Sequence, residues 1–173
     1  MKKLFKFAPL CALLLAVVAF ILMMAGDALV HDYELLGKVH DFYSGSVVLF
    51  GKGDACLLSV KGTLEDMKVA WNAILAFIFL IVALVVLAMS SVMVFVKIKA
   101  LEKFGGLIAL VAGGLLLVAG IFLFFTKGAF ASANDLNLDD FNLGAAWVIS
   151  AILAILAGVV SALPAVVALV EKK

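Results

Sequence analysis

The chain has 173 residues, of which 67% are hydrophobic and 14% charged. Soluble domains run at about 45–50% apolar and about 25% charged, so a mean hydropathy of +1.30 excludes an ordinary water-soluble fold. The net charge is +1 and all 13 basic residues are Lys; without the planar Arg fork that grips phosphate, no nucleic-acid partner is expected.

Residues 7–26 form the first uncharged run, after Lys2, Lys3 and Lys6. A basic start and an apolar core also mark secretory signals, but those cores usually span only ~7–15 residues. Gly26-Asp27-Ala28 is a poor cleavage site, so the run is read as an uncleaved membrane helix. Further uncharged runs occupy residues 69–96, 104–126 and 145–170. Each exceeds the ~20 residues that cross a ~30 Å hydrocarbon core. No water reaches the backbone there, so each run must satisfy its own hydrogen bonds as a helix. Four spans place both termini on one side.

Lysine placement says which side. Lys2, Lys3, Lys6, Lys97, Lys99, Lys103, Lys172 and Lys173 stand against Glu102 and Glu171 only, a net +6. The 27–68 loop carries 7 acids and 4 lysines, a net −3, and the 127–144 loop a net −2. Lys bias marks the cytoplasmic side. The termini are therefore expected in the cytoplasm, and both loops outside the cell membrane. Trp71 and Trp147 then fall at the outer interface, where amphipathic rings prefer to sit. Phe122, Phe124 and Phe125 end helix three at the same level.

The first outer loop begins with an internal echo, Val30-His31-Asp32-Tyr33 and then Val39-His40-Asp41-Phe42. Two His-Asp pairs suggest an oriented base or a metal ligand set. An offset of nine puts His31 and His40 on opposite sides of a helix or strand. A shared metal needs a turn near Gly37 and a third ligand such as Cys56. Val47-Val48-Leu49-Phe50 and Cys56-Leu57-Leu58-Ser59-Val60 read as two strands joined by Gly51-Lys52-Gly53-Asp54-Ala55, a hairpin pattern. Its Gly-Lys lacks the rest of a phosphate loop. An isolated hairpin is marginal in water, so this one must dock on something. Thr63 and Asp66 read as a helix start running unbroken into span two. Cys11 belongs near the inner face and Cys56 outside, so they do not pair within the chain. Cys56 is either buried or joined to another chain.

In the second outer loop, Asp135-x-Asn137-x-Asp139 matches the opening of a calcium loop. Asp140 replaces the required Gly, and Ala146 the final Glu. The alternative is a solvated acidic loop whose last polar residues cap helix four.

Within a bilayer, helices associate through small residues rather than apolar bulk. Ser150, Ala154, Gly158 and Ala162 follow at steps of four, and so do Gly105, Ala109 and Gly113, with Gly120 a heptad later. These are the predicted packing faces of helices four and three. Pro164 is a predicted kink. No Asp, Glu, Lys or His lies inside a span, which argues against a proton-coupled pump and leaves no acid, base or metal ligand at membrane depth. Asn72, Ser90 and Ser91 are expected to bond to a helix carbonyl or to a neighbouring side chain.

Four spans, both ends inside, a long first outer loop with strand character and a short second one resemble the claudin and peripheral-myelin type of tetraspan protein. That resemblance covers the whole chain as topology. It implies a left-handed four-helix bundle topped by a small extracellular sheet and used for lateral assembly or adhesion. The family's loop signature of tryptophans, Gly-Leu-Trp and two cysteines is missing, so no functional residue carries over.

The expectation is an all-α integral membrane protein, a single four-helix transmembrane bundle with a small extracellular β-hairpin or sheet in the first outer loop. It has no cofactor and no enzymatic role. Its partners are the lipid bilayer and other membrane proteins or copies of itself. A small transporter or channel subunit for a neutral solute is the alternative, requiring a cavity lined by Ser90, Ser91, Ser150 and Ser161. An outer-face enzyme is the third reading, requiring His31, His40 and Cys56 to converge.

Overall fold

The computed structural model describes residues 7–34, 38–58, 60–95 and 105–170. The lysines behind the inside–outside reading (2, 3, 6, 97, 99, 103, 172 and 173) lie outside these residues, as does the turn near Gly37. The elements are α1 (Ala8–Ala25), β1 (Asp27–Glu34), β2 (Lys38–Ser44), α2 (Gly45–Phe50), β3 (Gly53–Leu57), β4 (Val60–Leu64), α3 (Trp71–Phe95), α4 (Gly105–Phe124), α5 (Thr126–Ala133), a 3-10 turn (Leu138–Asp140), β5 (Asn142–Leu143) and α6 (Ala145–Val170).

Helices α1, α3, α4 and α6 are long and apolar enough to cross a membrane. Each packs against its neighbour in sequence, and α6 closes the ring onto α1. Small side chains point inward. Ala12, Ala16 and Ala19 of α1, Ala109, Ala112 and Gly113 of α4, and Ala151, Ala154, Ala157 and Gly158 of α6 are buried. Bulky ones point outward, among them Leu14, Val18 and Ile21, then Val82 and Val85, then Val111 and Ile121, then Ile152, Leu156 and Val159. A water-soluble bundle has the reverse distribution, and a monomer in water rarely exposes an apolar belt of this extent.

Backbones touch where the small residues meet. A Cβ on Gly113 would stand 2.7 Å from the Gly158 carbonyl oxygen, and one on Gly158 would stand 2.8 Å from that of Gly113. Gly120 fits beneath Ile155, with the Ala151 carbonyl at 2.8 Å from its missing Cβ. A Cβ on Gly105 would meet nothing within 4 Å among the described residues. Hydroxyls and amides lock the helices to one another. Ser161 donates to the Ala109 carbonyl at 2.8 Å, Ser150 to that of Ala19 at 2.6 Å, and the Asn72 amide to that of Phe122 at 2.9 Å. Ser90 donates to Val86 of its own helix. Ser91 is buried without a hydrogen-bond partner among the described residues. α6 runs through Pro164 to Val170.

At one end of the bundle the two loops build one five-stranded antiparallel sheet, ordered β4-β3-β2-β1-β5. Both loops contribute, because β5 from the second pairs with Leu29 and Val30 of β1. Three expectations for the first loop are corrected here. Residues 47–50 form part of helix α2, not a strand. Ser44 precedes the helix in extended conformation, and Gly51 ends it with φ +74 in the left-handed region. A four-residue apolar run suits either element, and this bracket decides it. Val47, Val48 and Leu49 are all buried, plugging the space between bundle and sheet. The hairpin is β3–β4, closed where Leu57 pairs with Val60, not at 51–55. Thr63 lies in β4, and no helix starts there. Asp66 turns the chain at φ +66, and Met67 and Ala70 donate backbone bonds to Gly51 and Val48. α3 begins only at Trp71.

Candidate interaction surface

The His-Asp echo occupies the β1–β2 hairpin. Antiparallel register places His31 opposite Asp41 and Asp32 opposite His40. Directly opposed residues share a face, so each histidine meets the other pair's carboxylate. Successive residues alternate faces, which puts His31 and His40 on opposite sides of the sheet. His40 Nδ1 lies 2.5 Å from Asp32 Oδ1, and its Nε2 lies 4.0 Å from Asp27 Oδ2. His31 sets its ring edge against Phe141 at 5.6 Å. Cys56 is buried on β3, opposite Phe42. His31, His40 and Cys56 therefore do not converge. Among the described residues, no group of three or more His, Cys, Asp or Glu is placed to hold a metal ion. Asp135, Asn137 and Asp139 lie in the second loop between α5 and β5. Asp135 turns the chain at φ +54, and the Asn137 side chain caps the 3-10 turn by accepting from the Asp139 amide.

One face of the sheet is covered. Leu29, Asp41, Tyr43 and Ala55 are buried there. The Tyr43 ring packs against Phe130 of α5 at 5.5 Å and Phe141 at 5.4 Å. Burial first, and the Asp41 charge second, push the Tyr43 phenol above its ordinary value, keeping it neutral. Asp41 accepts from the backbone amide of Leu58 at 3.0 Å. That bond holds Leu58 at φ +52, a conformation costly for a branched side chain.

The opposite face is open around the buried Cys56 and half-buried Phe42, and one edge is free. Asp32, His40, Asp54, Lys61 and Thr63 are exposed. Strand β4 pairs with β3 only and forms the sheet's edge. At the β3–β4 tip, Leu58 and Val60 are 73% and 70% exposed. Proteins usually guard a bare edge by shortening, bulging or covering it; here a single Lys61 stands on it.

Several features that position this surface carry no clear sequence signal. The second loop was expected as an acidic connector, and instead contributes α5 and β5. Asn142 is a strand residue bonded across to β1, not a cap of helix four. The Asn134 side chain pairs with the peptide of Lys68 as a strand would, donating to the Lys68 carbonyl and accepting from its amide, both at 2.8 Å. Trp147 was expected at a lipid interface. It lies at the sheet end of the bundle but is only 1% exposed, donating to the Met23 carbonyl at 3.0 Å, whereas Trp71 is exposed. Ser150 and Ser161 commit their hydroxyl protons to helix carbonyls.

The sequence matches no protein-family model, and comparison with curated proteins finds no relative.

Proposed function

We propose that this is a non-enzymatic multi-pass protein of the cell membrane, with both termini in the cytoplasm and the sheet outside, that works by binding membrane proteins, including copies of itself. The observation that carries this reading is the sheet. Both loops, the Asn134–Lys68 clamp and the α2 plug hold it rigidly on the bundle, yet one face and the β4 edge stay open. An anchored, exposed platform, with no cluster of metal-ligating side chains among the described residues, suits recognition. The outward belt of Leu, Val and Ile supports residence in lipid, and the absence of charge from the four helices supports a sealed core. The topological resemblance to the claudin and peripheral-myelin type implies assembly or adhesion and is part of this proposal. Photobleaching of fluorophore-labelled protein in supported bilayers at rising density tests this reading. Density-dependent association, lost when the 53–64 hairpin is deleted, is the expected result. A strictly monomeric protein, with no partner in crosslinked native membranes, overturns it.

A further inference from the structure

We propose that β4 is a homotypic docking strand, pairing antiparallel with β4 of a second copy about a two-fold axis at Gly62. This rests on the interaction role above and names its partner and register. In the β3–β4 hairpin Leu57 and Val60 close a two-residue loop. Such a closing pair exchanges hydrogen bonds, and the pattern then alternates. The backbone groups of Val60, Gly62 and Leu64 thus face β3, whereas those of Lys61 and Thr63 face outward along the free edge.

Only registers that set outward residues against outward residues satisfy these groups. Centring on Lys61 opposes two lysines, which is destabilising. Centring on Thr63 carries the pairing to Glu65, beyond the strand's end and next to the turn at Asp66, φ +66. Centring on Gly62 satisfies all four outward groups within the strand. It sets Lys61 against Thr63 on one face and Val60 against Leu64 on the other. The two glycines then meet as a non-hydrogen-bonded pair, where the backbones come closest. Charge is complementary in this register. Thr63 pairs with Asp54 in its own sheet, so the partner copy's Lys61 lies two strands from Asp54 on the same exposed face, about 10 Å between backbones and within reach of the long lysine stem. Neither Lys61 nor Asp54 has an ion-pair partner among the described residues.

The test is disulfide trapping of full-length protein in lipid vesicles, with Cys11→Ser and Cys56→Ala as background, because Cys56 stands opposite Lys61 in its own sheet. A Cβ at Gly62 meets nothing within 4 Å, so Gly62→Cys leaves the fold intact. Gly62→Cys is expected to give a dominant disulfide dimer, and Lys61→Cys and Thr63→Cys alone little. Mixing the last two should restore the dimer. Separately tagged copies, reconstituted in one vesicle or in two sets, tell whether the partner shares the membrane or faces it; a dimer in either arm supports the pairing. In the native-cysteine protein, Lys61→Glu should lose most density-dependent association, and adding Asp54→Lys should restore it. Three results overturn the proposal: no Gly62→Cys dimer from folded protein, rescue by Glu65→Lys rather than Asp54→Lys, or stronger association of Lys61→Glu, which would make Lys61 a guard. If Gly62→Cys fails while the native protein still associates, the docking strand falls and the interaction role stands.

Discussion

The helical bundle and the sheet at its end are held by opposite means. In the bundle, cohesion comes from what is missing. Gly113 and Gly158 bring two backbones into contact because neither has a side chain, and many large apolar groups face away, while Leu80, Leu87, Leu116 and Leu123 turn inward to fill the remaining space. In the sheet region, cohesion comes from what is filled, with Tyr43, Phe130 and Phe141 packed under the strands and Val47, Val48 and Leu49 plugged beneath. The contrast teaches that apolar bulk drives association only where water is the alternative. Between lipid tails, close fit and carbonyl-directed hydroxyls take its place.

The largest test of this contrast is Gly158→Leu. Its side chain would enter the α4 backbone, at a cost of about 3 kcal/mol or more, whereas Val159→Leu on the outward face should stay within about 0.5 kcal/mol. Thermal unfolding in detergent, followed by retention of monodisperse protein, measures both; equal effects would break the contrast. Next in size is Gly51→Ala, at the joint between the two regions. The residue has φ +74, and a Cβ would stand 2.3 Å from the Met67 carbonyl oxygen. Strain of about 1–3 kcal/mol should loosen α2 and the 65–70 segment, seen as faster amide exchange there while α4 and α6 stay protected. Exchange rising equally through the bundle would show that the regions melt as one unit.

Asn134→Ala sharpens the contrast within the sheet region. It removes both bonds to the Lys68 peptide, costing about 1–2 kcal/mol, with accelerated exchange at Lys68. Unchanged exchange would mean that β5 alone holds the loops together. The smallest effect concerns Tyr43. Its raised phenol value means that the folded state holds the proton more tightly than the unfolded chain does. The stabilising contribution is therefore complete below the ordinary value of 10.0 and is lost as pH rises through the higher folded value. Melting curves from about pH 9 to about pH 11 should show a fall in stability that Tyr43→Phe reduces; an identical fall in both proteins would remove Tyr43 as its cause.

Legibility in the sequence divides along the same line. The four helices are plain in the uncharged runs, since each run is long and apolar enough to cross a membrane and only a helix satisfies such a backbone away from water. At Gly105 a Cβ would meet none of the described residues within 4 Å, so spacing alone does not name a neighbour there. A step of four says that residues share a face, not which residues find a neighbour. Trp147 reads as an interface aromatic until Met23 is seen to accept its indole proton. Around the sheet the local signals were ambiguous. Val47-Val48-Leu49-Phe50 fits a strand or a helix, and only the Gly51 turn and the cavity it plugs choose the helix. β5 is two residues long, too short for any periodicity, and exists because Leu29 and Val30 offer it an edge.

What the chain alone settled is the set of four membrane-length helices and the absence of charge within them, because hydropathy acts residue by residue. What needed the folded arrangement is the joining of two distant loops into one sheet and the bare edge at β4. Each of these follows from register and long-range pairing, which place residues far apart in the chain side by side and leave no mark on the local sequence.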